Sequence, residues 1–354
     1  MNSKKYIVIT FILTAVMLGM VAIPIIKIDP FFHYHTPLEQ YEYMMEDPWY
    51  INYGIIKNYD YDAMITGTSM TANFKSSELD RLFGTNSIKV PFEGASFKEL
   101  GGAIREACEE NENLKMVVCG LDMVNFSYYA DYEAYNDKPE YLYDDFVLND
   151  IPYIFNKEVL FTNTYFRTVK AGEWGYKQPT FDDYRIWYGN YVYSKESVLE
   201  RYTRPDNISS VSLFDEPTKE KVYENITENL IHTVAENPDV TFYFFYTPHN
   251  VLFFDRLLRQ GIFDKCMASY EYAAQLLLEY DNVKLYSFYD NTDMICDFNN
   301  YKDYTHYGHH VNSWILTWLN EGTGLLTKEN YKQHFNNMRE FYSKYNYDDI
   351  FSAV

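Results

Sequence analysis

Residues 61–74 read "YDAMITGTSMTANF". The apolar run Ala63 to Thr66 leads into Gly67, Thr68 and Ser69, so the segment reads as a short buried strand ending in a tight turn that carries a serine. Four more runs of this kind follow, at Ile88 to Pro91, Met116 to Gly120, Val240 to Tyr246 and Val283 to Ser287. Each is a short, nearly continuous apolar stretch of the type that parallel strands show when both faces are covered. Helical spacing recurs between and after them, in Phe97, Leu100, Ile104 and Cys108, in Val222, Ile226, Leu230 and Val234, and in Val311, Trp314, Ile315, Trp318 and Leu319. Strand and helix in alternation predict an α/β fold with a doubly wound, mostly parallel sheet, flavodoxin-like in plan, whose ligands bind at the carboxyl ends of the strands. Ser69 stands at such an end, as a nucleophile, as a cap of the next helix, or as a turn partner of Gly67.

The chain has 354 residues, of which 47% are hydrophobic, enough to bury a sizeable core. Its formal charge of -21 would repel a phosphate backbone and argues against nucleic-acid binding and against a polybasic membrane dock. Aromatic residues reach 19%, with 37 tyrosines. Flat amphipathic rings of this kind pack in cores and also line sugar-binding grooves. Cys108, Cys119, Cys266 and Cys296 are widely separated and form no C-x-x-C pair, which leaves neither a zinc knuckle nor a thioredoxin motif and assigns no disulfide.

After residues 1–5 comes "YIVITFILTAVMLGMVAIPII", an uncharged run over residues 6–26 and long enough to cross a bilayer as a helix of about 20 residues. It is longer than the apolar region of a cleaved signal peptide and lacks an A-x-A site, so it reads as a signal anchor. Lys4 and Lys5 on the short side place the N-terminus in the cytoplasm and the rest of the chain outside, as a single-pass protein of the cell membrane. Residues 27–54 form a Tyr- and Pro-containing stalk, 55–325 the α/β domain, and 326–354 a C-terminal helix and tail with Thr327 as its N-cap. The stretch from about 127 to 213 breaks the strand–helix rhythm and is expected to be an insertion with short helices, a candidate lid.

The chemistry concentrates near the far end, in "NNYKDYTHYGHHVNSWILTWL". Asp303 and His306 lie three apart, a spacing that lets the carboxylate steady the imidazole, and a serine nucleophile needs such a base. Read alone, the pair is more often a surface cap with a polar helix residue. His306, His309 and His310 with Asp303, and the H-x-H of His33 and His35, raise a metal reading. No Glu or Cys ligand set accompanies them at zinc-like spacing, so no metal and no cofactor is assigned. Tyrosine and histidine just after a membrane span commonly sit at headgroup level, which accounts for His33 and His35.

With "GTS" as a first block, Gly94 in "FEGAS" as a second and "DYTH" (Asp303 to His306) as the last, the chain resembles the SGNH, or GDSL-like, hydrolase and acyltransferase superfamily over about residues 60–320. The "FFHYH" stalk, "GTSM" and "NYKDYTHYG" are similar to membrane-anchored relatives encoded with polysaccharide machinery, including those of alginate acetylation and teichoic-acid D-alanylation. The resemblance implies a Ser69–His306–Asp303 triad and an oxyanion site made of Gly94 and the Ser69 amide. The third block departs from the family's Gly-x-Asn-Asp. Here "CGLDMVNF" puts Asp122 where the oxyanion asparagine is expected, and an ionised carboxylate there would repel the developing charge, so Asn125 or the backbone alone takes the role.

These features together predict an O-acyltransferase acting on a cell-envelope polysaccharide through an acyl-enzyme, partnered by a multipass membrane acyltransferase. A carbohydrate esterase of the same fold, or a non-catalytic component of polysaccharide export, are the alternatives.

Overall fold

A computed structural model describes residues 3–144, 146–206 and 210–352. The chain divides into two compact units, one made of Met1–Asp60 and Asp137–Thr180, the other of Tyr61–Asn136 and Phe181–Val354. The stalk thus belongs with residues 137–180 of the insertion, whereas the parts of the insertion before and after them belong with the sheet.

The second unit is built on one sheet. Its strands are β1 (Ala63–Gly67), β2 (Ser87–Pro91), β3 (Met116–Leu121), β4 (Thr241–Tyr246), β5 (Val283–Tyr286) and β6 (Leu325–Leu326), in the order β2-β1-β3-β4-β5-β6. β1 to β5 are parallel and β6 pairs antiparallel with β5. All five anticipated runs are strands, and β1, β2 and β3 are buried along their whole length, as expected of strands covered on both faces. The order reverses between β2-β1 and β3, and in open α/β sheets that reversal is where ligands bind.

The helices follow the anticipated periodicity. Phe97–Glu110 buries Phe97, Leu100 and Ile104, and the Glu99 carboxylate accepts the Ser96 amide at 2.7 Å, closing one of the free donors at its start. Asp215 caps Glu216–Ile226 by accepting the Thr218 amide at 3.0 Å, and the helical path continues through a wider turn at Thr227–Ile231 to Glu236. Along it Val222, Ile226, Leu230 and Val234 are all buried. The terminal helix is Tyr331–Lys344, preceded by Asn330, so Thr327 is not its cap. Thr327 instead organises the approach: its amide donates to Asn330 Oδ1 at 2.8 Å and its hydroxyl accepts the Glu329 amide at 3.3 Å. All four cysteines are free thiols.

The first unit carries the helix Ser3–Ile28, long and apolar enough to cross a membrane, with Phe11, Met17 and Ile23 among its exposed side chains. Pro48–Asn58 and Val159–Val169 are its other helices of more than two turns, the latter wound wide in the π manner. Asp29, His33 and Asp150 lie buried in this unit. Asp29 Oδ1 accepts the Tyr153 hydroxyl at 2.6 Å, and Oδ2 accepts the amides of Tyr34 at 2.6 Å and His35 at 3.0 Å. Asp150 meets His33 Nε2 at 3.2 Å and accepts the Tyr34 hydroxyl at 2.7 Å. His33 is therefore packed inside this unit.

Candidate active site

Ser69 follows β1 directly. Gly67, the last residue of β1, has φ of +140°, and a Cβ on it would stand 2.6 Å from Thr71 Cγ2, so only glycine lets the chain turn this sharply toward the serine. The turn is then closed by the amides of Thr71 on the Thr68 carbonyl and of Phe74 on the Thr71 carbonyl. Ser69 does not cap the next helix, which starts at Ser76 behind Lys75. Its Oγ–H is aimed at His306 Nε2, 2.9 Å away.

His306 is presented by a short loop before the helix His309–Glu321. A bridge between Tyr301 and Tyr307 and the Lys302 amide on the His306 carbonyl, 3.1 Å, pinch the loop into a small hairpin. Asp303 works on both sides of it. Oδ1 accepts the amides of Thr305 at 2.9 Å and His306 at 2.7 Å and the Thr305 hydroxyl at 2.8 Å, while Oδ2 lies 2.9 Å from His306 Nδ1. Oδ1 thus shapes the loop and, 3.1 Å from Nδ1, steadies the imidazole together with Oδ2. Burial by itself would push the Asp303 carboxyl up, but the hydrogen bonds and charge of His306 and the two amides outweigh it and hold the group well below the usual carboxylate range. Asp303 is therefore an anion facing Nδ1, which favours the tautomer with Nδ1–H donating to Asp303 and Nε2 free to accept from Ser69.

The surroundings hold this geometry in place. Asn312 Nδ2 donates to the Met70 carbonyl at 3.1 Å, and the Trp187 indole N–H donates to the Ser69 carbonyl at 3.0 Å. The Trp187 ring also meets His306 edge to face, centroids 5.6 Å apart. Lys89, a buried lysine on β2, donates to the carbonyls of Ala72 at 2.7 Å, Phe74 at 2.8 Å and Asp182 at 3.3 Å, tying the serine turn to the insertion. Burial pulls its pKa down to about 7, yet three carbonyl acceptors match the three N–H groups of an ammonium. Lys302 stands between two aromatic faces, its Nζ 3.8 Å from the Trp187 ring and 3.9 Å from the Tyr191 ring. Burial lowers its pKa, and the two rings favour the cation. Behind the loop, His249 is buried with Nδ1 3.2 Å from the Thr305 carbonyl, and burial drops its pKa to about 4, so it is neutral.

The anticipated oxyanion groups part company. Gly94 follows β2 with φ of +76° and lies exposed, a conformation that calls for glycine. Asn125 is buried, and its Nδ2 donates to the Ala95 carbonyl at 3.0 Å while its carbonyl accepts Asn225 Nδ2 at 2.9 Å. Its amide braces the Gly94 loop and is joined to Ser69 by no hydrogen bond among the described residues. Asp122 follows β3 and accepts the Thr68 hydroxyl; its Oδ1 is shielded from solvent and has no hydrogen bond among the described residues. Burial raises its pKa, against the lowering pull of Thr68, of the nearby Thr247 hydroxyl and of His306.

His309 and His310 are packing residues. His309 stacks on Tyr188 with centroids 4.2 Å apart, and His310 Nε2 meets Asn300 Oδ1 at 3.0 Å. Among the described residues no group of three or more His, Cys, Asp or Glu side chains is placed to hold a metal ion. Trp187, Lys302 and His249 carry no motif in the sequence. The only trace of the first two is an aromatic-rich insertion and a basic residue beside Asp303. In comparisons with known proteins, no family model, no curated protein and no solved structure matches the chain.

Proposed function

We propose that this chain is a serine enzyme of ester chemistry with an SGNH-like site, anchored by Ser3–Ile28 with its α/β unit outside the cytoplasm, and that it transfers acyl groups to a cell-envelope polysaccharide. The observation that carries the reading is the 2.9 Å contact of Ser69 Oγ with His306 Nε2, backed by Asp303 on Nδ1 at 2.9 Å. In the first half-reaction His306 takes the proton of Ser69 as Oγ attacks the acyl carbonyl, and the departing donor oxygen then receives that proton from Nε2. In the second, His306 deprotonates a sugar hydroxyl that attacks the acyl-enzyme and releases Ser69. Backbone N–H groups of Ser69 and Gly94 would hold the oxyanion, leaving Asn125 to brace the Gly94 loop.

An extracytoplasmic site has no direct supply of cytosolic acyl donors, so the acyl group is delivered by a multipass membrane acyltransferase acting as partner. The single-pass anchor raises the effective concentration of the donor near Ser69. Deletion of the gene is expected to lower ester-linked acyl groups on an envelope polysaccharide, and deletion of the partner to give the same loss. A rise in acyl content would instead mean an esterase.

Asp122 in the third block favours a second reading, an SGNH-like component that binds sugar and assembles export machinery without turnover. A fluorophosphonate separates the two. Labelling that disappears in Ser69→Ala and His306→Ala supports the enzyme, and inertness of the folded chain supports the binder.

A further inference from the structure

The apolar run of Ser3–Ile28 spans about 30 Å at 1.5 Å per residue, the thickness of a bilayer's hydrocarbon core. If this helix crosses the membrane, its last turns from Ile23 to Ile28, with Lys27 as the first charge beyond the run, lie at the membrane–water boundary. Those turns do not stand alone. Ile23, Pro24 and Ile28 line an apolar cavity of about 670 Å³ together with Leu160, Phe161 and Phe166 of the wide helix Val159–Val169, and Lys27 sits at the same level. A second apolar groove, shared through Ile23 and Pro24, runs on along the membrane helix itself. The wide helix is therefore fixed at the depth where the span ends.

Its composition suits that depth. Phe161 is 59% exposed, Phe166 45% and Trp174 60%, although the sheet unit buries nearly every phenylalanine of its strands. The Phe166 and Trp174 rings stack at 5.9 Å, making one continuous aromatic surface. The cations of the same segment are paired: Arg167 with Glu46 and Asp47 at 2.7 Å each, and Lys170 with Glu173 at 2.7 Å. Exposed aromatic rings beside the end of a membrane span, with the cations neutralised, are the makeup of an interfacial lipid contact.

We propose that helix Val159–Val169 and the turn carrying Trp174 lie in the interfacial layer of the bilayer crossed by Ser3–Ile28, so that this unit is held to a lipid surface at two places. The inference rests on the reading of Ser3–Ile28 as a membrane span, and the test separates the two. The full chain is reconstituted in nanodiscs of phosphatidylethanolamine and phosphatidylglycerol, with photoreactive p-benzoylphenylalanine at Val16, Phe161, Phe166 or, as a control in the other unit, Tyr223. Phospholipid adducts at positions 16, 161 and 166 and none at 223 are expected. Adducts at 16 but not at 161 and 166, or adducts at 161 and 166 with a second protein chain, overturn the interfacial contact alone. Absence of lipid at 16 as well overturns the span and the inference together. Tryptophan fluorescence gives a check without a photoreactive residue: brominated phospholipids should quench the wild-type chain, and Trp174→Phe should lose most of that quenching. Equal quenching of the two proteins rejects the contact.

Discussion

Each unit of this chain contains a histidine hydrogen-bonded to an aspartate, and the two pairs have opposite surroundings. In the sheet unit, His306 and Asp303 keep 27% and 17% of their side-chain surface in solvent, and a serine hydroxyl faces the free nitrogen. In the other unit, His33 and Asp150 are enclosed, at 6% and 0%, and Nδ1 of His33 has no hydrogen-bond partner among the described residues. The neighbouring acids diverge in the same way. Hydrogen bonds and the His306 charge pull Asp303 below the usual carboxylate range, whereas burial wins at Asp29 and raises it despite Tyr153 and two amides. A His–Asp contact alone therefore does not mark a reactive site. What distinguishes the first pair is a serine hydroxyl on the imidazole's far side and a path to solvent.

The sharpest way to break this contrast is to remove the nucleophile. Ser69→Ala should reduce acyl turnover on the order of 10⁶-fold and abolish fluorophosphonate labelling while leaving the melting temperature unchanged. His306→Ala with Ser69→Ala should be hardly worse than either alone, because the groups act as a unit. Residual turnover close to wild type in Ser69→Ala would reject the comparison outright. Asp303→Asn comes next, with a loss of about 10⁴-fold in kcat, since an amide in this place no longer favours Nδ1–H on His306. The same change affects stability with pH. Asp303 is depressed in the folded chain, so its contribution is present above the ordinary carboxylate range and is lost as pH falls through the lower folded value. Wild type should therefore lose more stability than Asp303→Asn between neutral and acid pH in urea melts.

In the enclosed pair the ordering of effects should invert. His33→Ala leaves Asp150 Oδ1 without its partner and should cost about 1–3 kcal/mol in denaturant unfolding of the first unit, with fluorophosphonate labelling of Ser69 retained. Loss of labelling at unchanged stability would show that the two pairs are not separable in role. The smallest effect is expected at Asp122→Asn. Because burial raises the Asp122 pKa, its stabilising neutral form is complete below the ordinary carboxylate range and is lost as pH rises through the folded value. An asparagine keeps an acceptor for Thr68 and carries no such cost, so the variant should melt slightly higher at neutral pH. A lower melting temperature would mean that the ionised form is the one the fold prefers.

The strands were legible because a covered parallel strand leaves an uninterrupted apolar run, and each of the five runs did so. β6 left no such trace: two leucines at the sheet's edge become a strand only by pairing with Leu285 and Tyr286. Ser69, Asp303 and His306 were legible from local pattern, a turn after a strand and an Asp-x-x-His. The hydrogen bond from Trp187 to Ser69 joins residues 118 apart and has no local sign, and the Lys302 contacts with Trp187 and Tyr191 are equally remote in sequence. Asn125 was located but not aimed, since its place after β3 does not say that its amide turns to Ala95. Asp122 was seen, but neither its burial nor its bond to Thr68 can be read from the neighbouring letters.

The separation of Ser69 and His306 by 237 residues has a consequence for how the protein is made. A ribosome adding roughly 5–20 residues per second needs some tens of seconds to pass from one to the other. During that interval Ser69 exists without its base, and the first unit, which requires residues 137–180 to complete what residues 1–60 begin, is finished first. Under the mechanism proposed above, a polypeptide cut short between residues 69 and 306 would carry Ser69 without His306 and would therefore be inert.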